Sequence, residues 1–186
     1  MKYAFDLIGS LVVVLFLLPV ILILSVAIKI TSKGPILHWS DRVGKNNVIF
    51  KMPKFRTMKV NTSLLPTHLM TNPKQYLTII GPFLRRTSLD EIPQLWSILK
   101  REMSFVGPRP ALFNQTDLVA LRTKFGIHHL MPGLTGWAQI NGRDSLSTKE
   151  KVLLDKEYLE RRSFIFDLYI FIKTLQQIHI GKDISH

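Results

Sequence analysis

Cysteine is absent from all 186 residues, so neither a disulfide framework nor a thiolate metal site is open to this chain. Acid is scarce as well: 13 Asp and Glu stand against 25 Lys and Arg, a formal charge of +12. So basic a balance points to phosphate-bearing partners: nucleic acid, anionic lipid headgroups or phosphorylated substrates. Charge itself is missing between Leu7 and Ile28, about 22 residues and enough to cross a bilayer as a helix. With 46% hydrophobic residues overall, that run favours lipid, and nucleic acid is not expected as a partner. A convincing small-residue cleavage site is also lacking, which disfavours a removable signal peptide. The length suits one modest domain with its own core and sets no oligomeric state.

Two of the few carboxylates are adjacent. Arg85-Arg86-Thr87-Ser88-Leu89-Asp90-Glu91-Ile92-Pro93-Gln94-Leu95-Trp96 sets Asp90 and Glu91 behind two arginines, and Gly107-Pro108-Arg109-Pro110 follows. Ser88 with Glu91 three residues on has the form of a capping box, while Pro93 limits how deep a helix can run. Either way the pair lies in a first turn, where free N–H groups and the helix dipole favour negative charge, a phosphate or a carboxylate-bound metal. Neighbouring side chains on a helix point apart, so one can attack or hold a metal while the other caps, orients or accepts a proton. Acidic residues in a first turn are most often caps; the nearby arginines turn this pair towards chemistry. Arg109, locked between prolines, offers a preset guanidinium suited to bidentate phosphate recognition.

The rest of the chain reads as support. Pro19 interrupts the apolar run, and lysines flank both ends (Lys2; Lys29 and Lys33), so charge does not assign the ends to opposite sides. A bent helix with both ends cytoplasmic fits these facts; a single ordinary crossing is the alternative. After Gly34-Pro35, Ile36–Trp39 and Val48–Met52 read as strands around a turn at Gly44–Asn47. Lys54 and Arg56 alternate around Phe55, which puts both cations on one face, either as a solvated edge or as a phosphate contact. Residues 60–75 read as a surface loop, Asn114–Lys124 as an amphipathic helix and Lys149–Arg162 as a charged one. Phe164–Ile180 is apolar over a wide arc, fit for core or membrane interface. His128 and His129 have no third ligand at a recognisable spacing and carry little weight as a metal site. Trp137 fits either a core or a headgroup position.

Thr87–Trp96 resembles the signature of the bacterial sugar transferases, the monotopic phosphoglycosyl transferases. So do Lys54-Phe55-Arg56-Thr57-Met58, Met103-Ser104-Phe105-Val106-Gly107-Pro108-Arg109-Pro110 and the turn-rich run from Pro132 to Arg143. The four blocks stand in the family's order and span nearly the whole chain. The resemblance implies a mixed α/β, helix-dominated fold: a re-entrant membrane helix over 1–33, then a small cytosolic, interface-associated catalytic domain over 34–186 with a short β-hairpin. It implies transfer of a sugar-1-phosphate from a UDP-sugar to a polyprenol (undecaprenyl) phosphate, with UMP released, at the cytoplasmic face of a bacterial inner membrane among its lipids. Such a step initiates O-antigen, capsule, exopolysaccharide or glycoprotein glycan assembly, here in the family's minimal form. Asp90 is implied as covalent nucleophile and Mg2+ ligand, Glu91 as its catalytic assistant, and Lys54, Arg56, Arg85 and Arg109 as substrate-binding cations. The sequence does not name the sugar; the resemblance to small members of the family, which often use an N-acetylated hexosamine, implies one here. Two departures stand out: Leu18 precedes Pro19 where serine is common, and Met131 occupies a position usually held by arginine. From other classes, a membrane-anchored metal-dependent phosphodiesterase and a non-catalytic basic lipid-binding protein fit the same composition.

Overall fold

The computed structural model describes residues 2–60, 73–142 and 145–180. Most of the loop expected over 60–75, and Arg143 of the fourth block, lie outside them. The apolar run and its flanks form one helix, α1 (Lys2–Thr31), which continues through Pro19 without a break. It is long and apolar enough to cross a membrane. One stripe is turned inward: Asp6, Ser10, Leu24 and Ile28 are buried, and Val13, Val14, Leu17, Val20 and Ile21 pack on the two hydrophobic clusters of the body. The opposite face leaves Phe16 81% and Ile23 68% exposed.

Both ends of α1 are tied to the body. Lys2 pairs with Asp167 and donates to the Val106 carbonyl at 3.0 Å. Just past the other end, Ser32 accepts two bonds from Arg56 Nη2, at 2.6 Å on its hydroxyl and 3.0 Å on its carbonyl. A cation there also suits the negative end of the helix dipole. Gly34 makes the approach possible: its φ of +114° is glycine's territory, and a Cβ would lie 2.1 Å from Arg56 Nη1.

The expected hairpin is present. Strands β1 (Leu37–Val43) and β2 (Ile49–Phe55) pair antiparallel from Leu37 with Phe55 to Val43 with Ile49. Short helices α2 (Gly81–Arg86) and α3 (Leu95–Leu99) flank the carboxylate segment, itself a 3-10 turn over Leu89–Gln94. Strand β3 (Ser104–Val106) leads through the Pro-Arg-Pro loop to β4 (Ala111–Leu112), which joins the hairpin to give the order β2-β1-β4. Then follow α4 (Thr116–Lys124), β5 (Gly133–Thr135), which pairs parallel to β3, and α5 (Trp137–Ile140). Helices α6 (Thr148–Arg161) and α7 (Phe164–Ile180) complete a mixed, helix-dominated α/β fold. Trp137 Nε1 donates to Glu157 at 2.8 Å and its ring packs 5.1 Å from that of Phe166, so α5 uses it to join α6 and α7.

One local expectation is corrected. Ser88 is not an N-cap: it sits in the left-handed region at φ 55°, and its side chain caps nothing. It reverses the chain after α2, whereas an N-cap needs extended backbone. The same Ser-x-x-Glu spacing forms a true capping box at Ser147 and Glu150, where Ser147 is extended (φ −63°, ψ 162°).

Candidate active site

The 3-10 turn packs against β2, and this brings Asp90 and Glu91 to Lys54. The Lys54 ammonium lies 2.6 Å from Glu91 Oε1 and 3.9 Å from Asp90 Oδ2. Arg109 Nη2 donates to the same Glu91 oxygen at 3.1 Å. Asp90 is buried at 8% exposure, and the Glu91 and Lys54 side chains are nearly so. Arg85 comes from the last turn of α2, its Nε donating to Thr57 Oγ1 at 2.9 Å within electrostatic reach of Asp90. Lys54, Arg85, Arg109 and the two carboxylates are therefore one cluster. Arg56, expected beside Lys54, points instead to Ser32 at the end of α1. The strand ends at Phe55, and the alternation of faces ends with it.

A further cation, Arg42 on β1, was not singled out by its sequence context. Its Nε donates to Ser40 Oγ at 2.8 Å and its Nη1 to the Pro110 carbonyl at 3.2 Å. Burial, then the positive charge of Arg109, bring its pKa down to about 10 against the opposing pull of Glu91. The only sequence clue is strand alternation, which sets Arg42 on the face of His38, the cross-strand partner of Lys54.

The loop that carries Arg109 is held by close backbone packing. Gly107 N donates to the Thr135 carbonyl and Gly133 N to the Pro108 carbonyl, each at 2.9 Å. A Cβ on Gly133 would stand 2.1 Å from Gly107 N, and one on Gly107 2.2 Å from the Met131 carbonyl. Glycine here is the condition for the third and fourth sequence blocks to touch. Met131, where an arginine was expected, contributes its carbonyl to that junction.

The electrostatics separate the two carboxylates. Burial pushes the Asp90 carboxyl above its ordinary value; Lys54 opposes this, Glu91 adds to it, and Arg85 and Arg109 oppose it further. Burial likewise draws Lys54 below its usual range, with Glu91 as the main counterweight. Glu91 is committed to two cations, which leaves Asp90 as the carboxylate less engaged by hydrogen bonds. The surrounding cations, Arg42, Lys54, Arg85 and Arg109, outnumber the two carboxylates, a surplus that an anionic ligand would balance.

Among the described residues no three His, Cys, Asp or Glu side chains converge on a metal position. That donor set still fits Mg2+, which keeps several waters and is commonly held by one or two carboxylates together with substrate phosphates. The His128 and His129 rings lie 3.8 Å apart, tilted by 39°, and His129 contacts Asn46.

The sequence as a whole is similar to those of known proteins. The family model described as bacterial sugar transferase matches residues 1–181. The undecaprenyl-phosphate glucose phosphotransferase of Komagataeibacter xylinus is 39% identical over 187 residues, covering 95% of this chain and 35% of that protein. The exopolysaccharide production protein ExoY of Sinorhizobium fredii is 33% identical over 196 residues, 97% of this chain and 86% of its own length. For the UDP-glucose:undecaprenyl-phosphate glucose-1-phosphate transferase of Escherichia coli the identity is 37% over 191 residues, 98% of this chain and 41% of that protein. The chain thus spans well under half of two of these relatives and most of the third. With three of its sequence blocks meeting in one carboxylate–cation cluster, the fourth packed on the Arg109 loop and the family model matched over nearly its whole length, the chain belongs to the bacterial sugar transferase family.

Proposed function

We propose that this chain transfers a sugar-1-phosphate from a UDP-sugar to a polyprenol phosphate and releases UMP. The observation that carries the reading is the buried Asp90 beside a Glu91 already bound by Lys54 and Arg109. In the first step an Asp90 carboxylate oxygen attacks the β-phosphorus of the donor. The bond from that phosphorus to the bridging oxygen breaks, and the oxygen leaves on UMP. A phosphosugar–aspartate then carries the transferred group. In the second step an oxygen of the polyprenol phosphate attacks the same phosphorus and frees the Asp90 carboxylate.

Lys54 and Arg109 face the charge that gathers on the phosphoryl oxygens, Arg85 and Arg42 add to the field, and Glu91 holds the first two in place. Mg2+ held by Asp90, with Glu91 beside it, would neutralise diphosphate charge when bound. The names of relatives point to glucose in K. xylinus and E. coli and to N-acetylgalactosamine in Aeromonas hydrophila, so the donor sugar is to be read by assay. ExoY's name supports exopolysaccharide assembly as the destination.

Placement supports the same chemistry. A polyprenol phosphate keeps its head at the membrane surface, and an apolar helix with both ends tied to the catalytic body holds the site there. We take α1 to bend at Pro19 while remaining helical, so that it enters one leaflet and returns, with residues 34–186 on the cytoplasmic face.

The test is incubation with a panel of UDP-sugars and Mg2+ in the absence of lipid. The protein should gain the mass of one sugar phosphate on Asp90 and release UMP, and added polyprenol phosphate should discharge it. Active enzyme that forms no adduct and releases no UMP before lipid is added would rule out the covalent route. Release of sugar phosphate into solution, with lipid left unmodified, would rule out the transferase.

A further inference from the structure

We propose that the buried Arg122–Asp155 pair is a positioning device for Arg109, setting affinity for the donor's diphosphate without touching it. The inference rests on Arg109 being the phosphate clamp of the proposed function. Arg122 projects from α4, and its Nε and Nη2 donate to Asp155 Oδ2 on α6, at 2.9 and 2.6 Å. Its Nη1 donates to the Arg109 carbonyl at 2.8 Å. Asp155 is 1% exposed. A single planar guanidinium therefore joins two helices to the loop.

The loop needs such a handle. Neither proline beside Arg109 has an N–H to give, so the carbonyls are its main points of attachment. Pro108 is held through Gly133 and Pro110 through Arg42. The carbonyl of Arg109 itself is held by the ion pair. Fixing that oxygen fixes the peptide plane, and with it the direction in which the side chain leaves towards Glu91, 3.1 Å from Nη2. A buried ion pair is weak ground for stability, because desolvation offsets most of its attraction. The third bond gives this one something to orient. Lysine could not replace it, since a single ammonium lacks the fork that serves Asp155 and the carbonyl together.

The experiment is titration of UDP with Mg2+ into the full chain in detergent, for wild type, Arg122→Lys, Arg109→Lys and the double variant, with melting temperatures alongside. Arg122→Lys should weaken UDP binding about tenfold, the loss of one well-aligned charge-assisted bond. In the Arg109→Lys background the same change should cost less than about twofold, because its effect passes through Arg109. Unchanged affinity in Arg122→Lys, or the same factor in both backgrounds, overturns the inference. If Arg109→Lys alone leaves UDP affinity untouched, the clamp reading falls and takes this inference with it, a result distinct from additivity. Should Arg122→Lys fail to fold, Asp155→Asn replaces it in the same cycle, keeping size and an acceptor, with the same coupling expected and the same additivity overturning it.

Discussion

Lys54 Nζ lies 2.6 Å from Glu91 Oε1, although Asp90, the neighbouring carboxylate, is within 3.9 Å of the same ammonium. Arg109 donates to that same Glu91 oxygen. The two carboxylates therefore divide the work. Glu91 is bound into the scaffold of cations, and Asp90, the less engaged of the two, is the one the proposed reaction uses.

That division predicts opposite effects on stability. The raised pKa of Asp90 means the fold disfavours its charge, so its contribution to stability falls as pH rises above the unfolded value. Asp90→Asn removes that charge: turnover and adduct formation should vanish while the melting temperature at pH 7.5 holds or rises. Glu91→Gln leaves two cations without their partner and should cost about 3 kcal/mol, roughly 10 °C in melting temperature. Thermal unfolding of the two variants side by side decides it; a larger drop for Asp90→Asn would reverse the assignment.

If Asp90 is the nucleophile, the acid limb of the pH–rate profile should report it, since a carboxylate must be ionised to attack. Its midpoint in kcat/KM is expected above the ordinary aspartate value, because burial is the leading influence. Lys54 is the strongest influence in the other direction, so Lys54→Met should move the limb to higher pH as well as lowering the rate. A limb that stays in place in this variant would assign it to another group.

Much of the fold was legible because long apolar or charged runs have few ways to fold. The hairpin, α1, α6 and α7 follow from such runs and from the Gly44–Asn47 turn. Strands β3, β4 and β5 did not, since two or three residues cannot display a period and their partners lie far away in sequence. The cluster of Lys54, Arg85, Asp90, Glu91 and Arg109 was legible from its motifs. What motifs could not give was direction. Lys54 and Arg56 are two residues apart, yet one meets Glu91 and the other Ser32, because β2 ends between them. Arg42 and Arg122 carried no motif at all; what marks them is that each donates to a carbonyl of the Pro-Arg-Pro loop.

Those directions separate two arginines that composition treats alike. Arg109→Lys should raise KM for the UDP-sugar and lower kcat/KM by at least about tenfold, with a melting temperature near wild type, since a planar fork is lost and charge is kept. Arg56→Lys should lower the melting temperature through the contact with Ser32 and leave KM for the donor within about twofold. Steady-state kinetics with parallel unfolding curves distinguishes them. A donor KM that rises as much in Arg56→Lys as in Arg109→Lys would return Arg56 to the substrate.

The topology of α1 is testable because the chain has no cysteine of its own. Tyr3→Cys and Lys33→Cys each place one thiol at an end of the helix, and Tyr3 is 58% exposed. If α1 enters one leaflet and returns, a membrane-impermeant maleimide added to intact cells should label neither, and both should react once the membrane is opened. A helix that crosses would carry one end about 30 Å away to the other side. That end could not stay beside the body, which holds Lys2 through Asp167 and Ser32 through Arg56. Labelling of either thiol in intact cells would refute the re-entrant placement, and loss of the Lys2 or Ser32 contact should follow from it.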